Sequence, residues 1–281
     1  MTAITVIAIL AAAATIYGFV AMDSCERVKV APKGKKKKYQ VQEVPETGIL
    51  FMVIMAVALI VRYIAAAKYF GNETDMNCFI AWGDMVFKDG IGNFYSSDSF
   101  TDYPPGYMYI LYMVGAIRHV LGVAWNSTLS VMLTKTPAII ADLATAYLLF
   151  RIAGKRWTQK GAGILTAIYL FAPAVLLDGA IWGQTDAVFT FFVVLMIYLV
   201  TERKLIPSYF VFAVAVLVKP QSLIFTPVLI YGIIDQVFLD GFDWKNFWKN
   251  LGLGLAAIAM IALLMLPFGF KDALSQYTET L

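Results

Sequence analysis

Nine predominantly apolar stretches follow one another along the 281-residue chain, at about 3–21, 48–67, 106–122, 129–150, 162–177, 186–201, 206–218, 221–238 and 250–267. Roughly 20 apolar residues in a helix cross the ~30 Å hydrocarbon core of a bilayer. Inside lipid each backbone N–H and C=O needs a partner within the chain, which runs of this length meet by forming helices. The expected fold is an all-α polytopic membrane protein. A content of 60% hydrophobic and 15% charged residues excludes an ordinary soluble domain. The net charge of +3 sits in short loops between apolar runs, so nucleic acid is not an expected partner.

Residues 1–47 read as an extra N-terminal membrane helix followed by a basic cytoplasmic linker, and 48–281 as the transmembrane module. The first segment, Ala3–Val20, lacks a basic leader and a small-residue cleavage site, so it reads as a retained helix. The chain stops at Leu281 just after a helix, which reads as the N-terminal part of a longer protein. Arg27, Lys29, Lys33 and the run from Lys35 to Lys38 assign the linker to the cytoplasm. Strict alternation from there would put three basic loops outside: Arg151/Lys155/Arg156/Lys160, Arg203/Lys204 and Lys245/Lys249. If 106–122 dips in and returns, or lies at the interface, all three become cytoplasmic. Its Pro104-Pro105-Gly106 start and Arg118-His119 end suit a helix that need not span. The expected topology is about eight crossings plus one re-entrant or interfacial helix, with short surface helices in the first external loop. Cys25 and Cys78 then lie on opposite faces, and no disulfide between them is expected.

That topology gathers the polar breaks on the external side. The loop 68–105 brings Glu73, Asp75, Asp84, Asp89, Asp98 and Asp102. Asp178–Asp186, reading DGAIWGQTD, is a second polar turn, and Lys219-Pro220-Gln221 interrupts the apolar run from 206 to 234. Each break has two readings. Glu73 and Asp75 either cap a surface helix whose Phe79 and Trp82 face the interface, or supply an ionised carboxylate able to take a proton from a hydroxyl. Asp102 either caps the helix that the two prolines start or positions a substrate with Tyr103, while Tyr103, Tyr107, Tyr109 and Tyr112 form an interfacial belt. Asp178, Gln184 and Asp186 either make a tight turn capped at Thr185 or face a water-filled cavity and bind sugar hydroxyls. Lys219, beside Gln221, either snorkels to the surface or offers a counter-charge to a lipid phosphate. His119, the sole histidine, reads as an interface residue, which excludes a His-rich metal centre. A divalent cation held by carboxylates, Mg²⁺ or Mn²⁺, stays open as a cofactor. Asn72-Glu73-Thr74 and Asn126-Ser127-Thr128 are formal glycosylation acceptors in external loops.

Together these residues resemble the GT-C superfamily of polyprenyl-phosphate-sugar-dependent glycosyltransferases, in particular bacterial relatives of the GPI-anchor mannosyltransferases and the dolichyl-phosphate-glucose glucosyltransferases. Three places carry the likeness: Asp75 with Trp82 and Asp102-Tyr103-Pro104-Pro105; Pro173 to Asp178 with Gly183-Gln184-Thr185-Asp186; and Lys219-Pro220-Gln221. The resemblance implies a GT-C-like helical bundle over 48–281 with Asp75 as catalytic base. It further implies inverting transfer of a hexose, mannose favoured, from a polyprenyl-phosphate donor to a glycan or lipid-linked hydroxyl acceptor. The setting would be a bacterial plasma membrane with the site on the external face. From the residues alone, a transporter or flippase for a lipid-linked or small polar substrate is the alternative.

Overall fold

The computed structural model describes residues 48–95, 100–238 and 241–279. The expected N-terminal helix, the basic linker and Asp98 lie outside them. Among the described residues the fold is all-helical. In chain order the helices are α1 Ile49–Lys68, α2 Glu73–Lys88, α3 Pro105–Val120, α4 Thr128–Ala153, α5 Gln159–Phe171 and α6 Pro173–Leu176. After a π-helical turn, Leu177–Trp182, come α7 Asp186–Thr201, α8 Leu205–Val218, a 3₁₀ segment Pro220–Phe225, α9 Thr226–Val237, α10 Trp244–Met265 and α11 Phe270–Glu279.

Three of these, α1, α4 and the α10 stretch extended to Phe268, are long and apolar enough to cross a bilayer. A fourth span arises if α5 and the Pro173–Trp182 segment, bent by 52° at Ala172, are counted as one. Pro173 cannot donate to a continuing helical ladder, which accounts for the break. Apolar side chains stand outward along whole faces: Ile49, Met52, Ile60 and Ile64 on α1, Leu255, Ile258 and Leu263 on α10. A surface of that kind belongs in lipid rather than water. The chain is a membrane protein on these grounds.

Caps set several helix starts. Asn72 Oδ1 accepts the N–H of Asp75 at 3.1 Å and begins α2, whose first turn carries Glu73 and Asp75 toward the positive end of the helix dipole. Ser127 caps α4, Thr158 caps α5 and Asp243 caps α10 in the same way.

Pairs of contacts fix the direction of each helix. Phe51 and Phe150 rings lie 4.4 Å apart, Arg62 meets Asp142, and Lys135 reaches the carbonyl of Tyr69. Helices α1 and α4 therefore run antiparallel, and α4 begins at the end where α1 finishes. The chain between them, α2 and α3, accordingly returns to the end it started from. These two helices cross closely: a Cβ on Gly115 would stand 2.2 Å from the Gly83 carbonyl oxygen. Around that crossing packs the largest core, with Met76, Phe79, Trp82, Tyr107, Met108 and Leu111 against Val188, Leu217 and Phe268. Phe79, Trp82 and Tyr107 are buried here rather than spread along an interface as the sequence suggested, because α2 and α3 pack these faces against each other. At the opposite end of the bundle Lys155 pairs with Glu202, and Arg203 lies 3.5 Å from Asp235.

Candidate functional site

Helix ends converge on a polar cleft. Asp75, in the first turn of α2, accepts from Trp182 Nε1 at 3.1 Å and from Gln184 Nε2 at 2.5 Å on the same oxygen, Oδ2. The chain places them together through the backbone: the N–H of Asn72 donates to the Trp182 carbonyl at 2.9 Å, and the N–H groups of Gly183 and Gln184 both donate to Asp178 O. Gly183 ends the π turn in the left-handed conformation, φ 92°, which glycine adopts without strain. π turns carry an extra residue per turn, which here swings Trp182 outward to 50% exposure at the cleft mouth.

Nearby, Asp186 at the start of α7 forms an ion pair with Lys219, the last residue before the Pro220–Phe225 segment. The Lys219 ammonium also stands 5.3 Å over the Phe189 ring. Lys219 is thus held by a partly exposed carboxylate, where the sequence offered a snorkelling residue or a counter-charge to a lipid phosphate. Asp142, Tyr169, Asp178, Asp186 and Thr190 line a cavity of about 260 Å³. Thr185 does not cap α7 as the sequence allowed; its hydroxyl donates to the Tyr103 oxygen at 3.2 Å. Asp102 does not cap α3 either, since Pro104 holds that position without a side-chain cap.

Electrostatics in the loop reflect crowded acids. Burial raises the Asp102 carboxyl above its ordinary value; a hydrogen bond to its own backbone pulls it back, Asp75 raises it again, and Lys219 opposes. Burial pushes the Tyr103 hydroxyl up to about 12, against the hydrogen bond from Thr185 and with the Asp186, Asp102 and Asp75 charges adding to the rise. Cys78 is raised by burial, then by Asp102 and Asp75.

The structure brings Asp75, Gln184, Asp178, Asp186, Lys219, Asp102 and Tyr103 into one neighbourhood. Glu73 and Gln221 are exposed beside it, and among the described residues neither makes a side-chain hydrogen bond or ion pair. Asn72, a formal glycosylation acceptor, has its carboxamide oxygen engaged as a helix cap. His119 stacks on Phe87 at 4.9 Å and lies 3.6 Å from Asp84, away from the cleft. Among the described residues no three His, Cys, Asp or Glu side chains stand close enough to hold a metal ion.

Arg62, Asp142 and Lys135, inside apolar runs, and Lys88, in the first polar loop, have no role in the sequence reading. Arg62 Nε donates to Asp142 Oδ2 at 3.1 Å, and Tyr169 donates to the other oxygen at 3.3 Å. Lys135 Nζ donates to the carbonyls of Tyr69, Ala180 and Ile181. Lys88 bridges to Asp84 at 3.7 Å on the surface of α2. The available signal for the first three was charge in the middle of an apolar segment, which a bilayer tolerates only for a reason.

Compared with known proteins, residues 83–280 match the family model described as PIG-U, GPI transamidase subunit PIG-U. No curated protein matches the chain. The match overturns the GT-C assignment and what followed from it. Transfer of a hexose, the mannosyltransferase label and the polyprenyl-phosphate donor with its glycan or lipid-linked acceptor fall away, as does the transporter alternative. The bacterial plasma membrane is likewise unsupported. The likeness rested on polar breaks at helix ends. Any helical bundle with an aqueous mouth must have such breaks, whatever the mouth receives.

Proposed function

The chain belongs to the PIG-U family of GPI transamidase subunits, and from that premise we propose that it is a non-transferring membrane subunit of a GPI transamidase, residing in the endoplasmic reticulum membrane. Its polar cleft receives the glycan-phosphate head of GPI, and its apolar outer faces meet lipid and the other subunits. The partners are then GPI, protein substrates held by the complex, and membrane lipids. The observation that carries this reading is the lining of the cleft. Asp75, Gln184 and Trp182 share one hydrogen-bonded edge, with Asp186 and Lys219 as a charge pair beside the 260 Å³ cavity. Carboxylate, amide and indole groups bind hydroxyls and amines, and an ammonium suits phosphate.

In this reading α1, α4, the bent α5–Trp182 pair, α7, α8, α9 and α10 each cross the membrane. Helix α3 stays on the cleft side, which is the lumenal one. The count is supported by the alternation of the cleft and the Lys155/Glu202 end along the chain. The shorter helices α7 and α8 suit a locally thinned bilayer.

Purifying the tagged chain from membranes in mild detergent tests the assignment. The remaining transamidase subunits should co-purify, and depletion of the chain should lower the surface level of a GPI-anchored reporter. A complex that assembles and attaches GPI at full rate without the chain would refute it.

A further inference from the structure

Lys135 lies on α4 with 1% of its surface exposed, yet among the described residues no carboxylate pairs with it. An unpaired ammonium in an apolar bundle carries a large desolvation cost. Three carbonyls offset it: Tyr69 O at 2.8 Å, Ile181 O at 2.9 Å and Ala180 O at 3.2 Å. An ammonium has three N–H donors, so all of them are used. Tyr69 is the C-cap of α1, and Ala180 and Ile181 close the π turn, so two helical C-termini direct their negative ends at one cation.

Those two segments build the cleft edge. Three residues after Tyr69 comes Asn72, whose N–H donates to Trp182 O and whose side chain caps the turn holding Asp75. One residue after Ile181 comes Trp182, then Gly183 and Gln184. The Lys135 stem packs directly under Gly183: a Cβ there would meet Lys135 Cε at 3.1 Å. A methionine of similar length would fill the space but leave three carbonyls without donors.

We propose that Lys135 is a positioning residue of the cleft, a buried clamp that holds the 69–75 and 180–186 segments in register so that Asp75, Trp182 and Gln184 meet. Its consequence for GPI binding rests on the cleft assignment made above; the clamp itself does not. Amide hydrogen exchange on the intact complex carrying Lys135→Met separates the two. Peptides covering 69–76 and 178–185 should exchange about tenfold faster or more, while those of α7 and α8 keep their wild-type rates. The Michaelis constant for GPI should rise about tenfold with turnover nearly unchanged. Lys135→Gln, which keeps two N–H donors without the charge, should fall between wild type and Lys135→Met in both readouts.

Exchange that rises throughout the bundle, or in neither segment, overturns the clamp. So does loss of the assembled complex in both variants, which would make Lys135 a requirement of the fold alone. Local exchange that rises while the Michaelis constant stays put keeps the clamp and removes GPI from the cleft.

Discussion

Arg62 and Asp142 meet inside the bundle at 3.1 Å, each with at most 2% of its side chain exposed. The pair joins α1 to α4, and Arg62 Nη2 extends it to α5 by donating to Leu170 O at 2.8 Å. Breaking a buried pair from one side leaves an uncompensated charge, which costs about 3–5 kcal/mol, whereas replacing both partners with apolar residues is often near neutral. Arg62→Leu alone should therefore lower the thermal unfolding midpoint of the purified protein far more than Arg62→Met with Asp142→Leu. A double variant at least as unstable as the single one would show that the pair adds net stability.

Glycines at two places test close approach and backbone shape separately. A methyl on Gly115 meets the backbone of Gly83, so Gly115→Ala must push α2 and α3 apart. A methyl on Gly183 meets Met76 Sδ at 2.4 Å and also sits on a left-handed backbone. Each should cost about 1–3 kcal/mol, the second through strain as well as clash. Gly252→Ala, on α10 with nothing within 4 Å, should be neutral or stabilise by up to about 1 kcal/mol. Chemical or thermal unfolding in one detergent ranks the three.

The long helices were legible because their apolar runs outlast any local break: 48–67 became Ile49–Lys68 and 129–150 became Thr128–Ala153. The run 162–177 reads as one segment, but Pro173 divides it at a 52° bend. The run 221–238 opens with a 3₁₀ segment because the chain turns at Lys219-Pro220. Phe79 and Trp82 were misplaced because an amphipathic surface helix buries its aromatic face against lipid or against protein with the same sequence pattern. Arg62, Lys135 and Asp142 acquire meaning only from partners 27 to 108 residues away. Polar breaks marked where a cleft stands. The chemistry of its occupant depends on distances no spacing encodes, and sugar transfer came only from the resemblance that those breaks carry.

Asp102 gives the cleft loop a pH signature. Its folded carboxyl sits above the ordinary carboxylate value of about 4. A carboxyl raised by folding favours the protonated form, so stability falls as pH rises from the unfolded pKa through the folded one, and is flat on either side. Asp102→Asn should match wild type below pH 4 and exceed it above that window. Thermal midpoints of both proteins across pH 3.5–7 check this; parallel curves would show that Asp102 titrates alike in both states.

Glu73 and Lys204 are both exposed and stand at opposite ends of the bundle, one beside Asp75 and the other next to the Arg203–Asp235 pair. In sealed microsomes the cytosolic face is outward. With Cys25→Ser and Cys78→Ser as background, Lys204→Cys should react with a membrane-impermeant maleimide, while Glu73→Cys should react only after detergent is added. The contrast follows from the proposed orientation, with the cleft in the lumen and the basic loops in the cytosol. Labelling of Glu73→Cys in intact microsomes would invert the orientation. It would also put the Asp75 edge on the wrong side of the membrane for a GPI head group presented in the lumen.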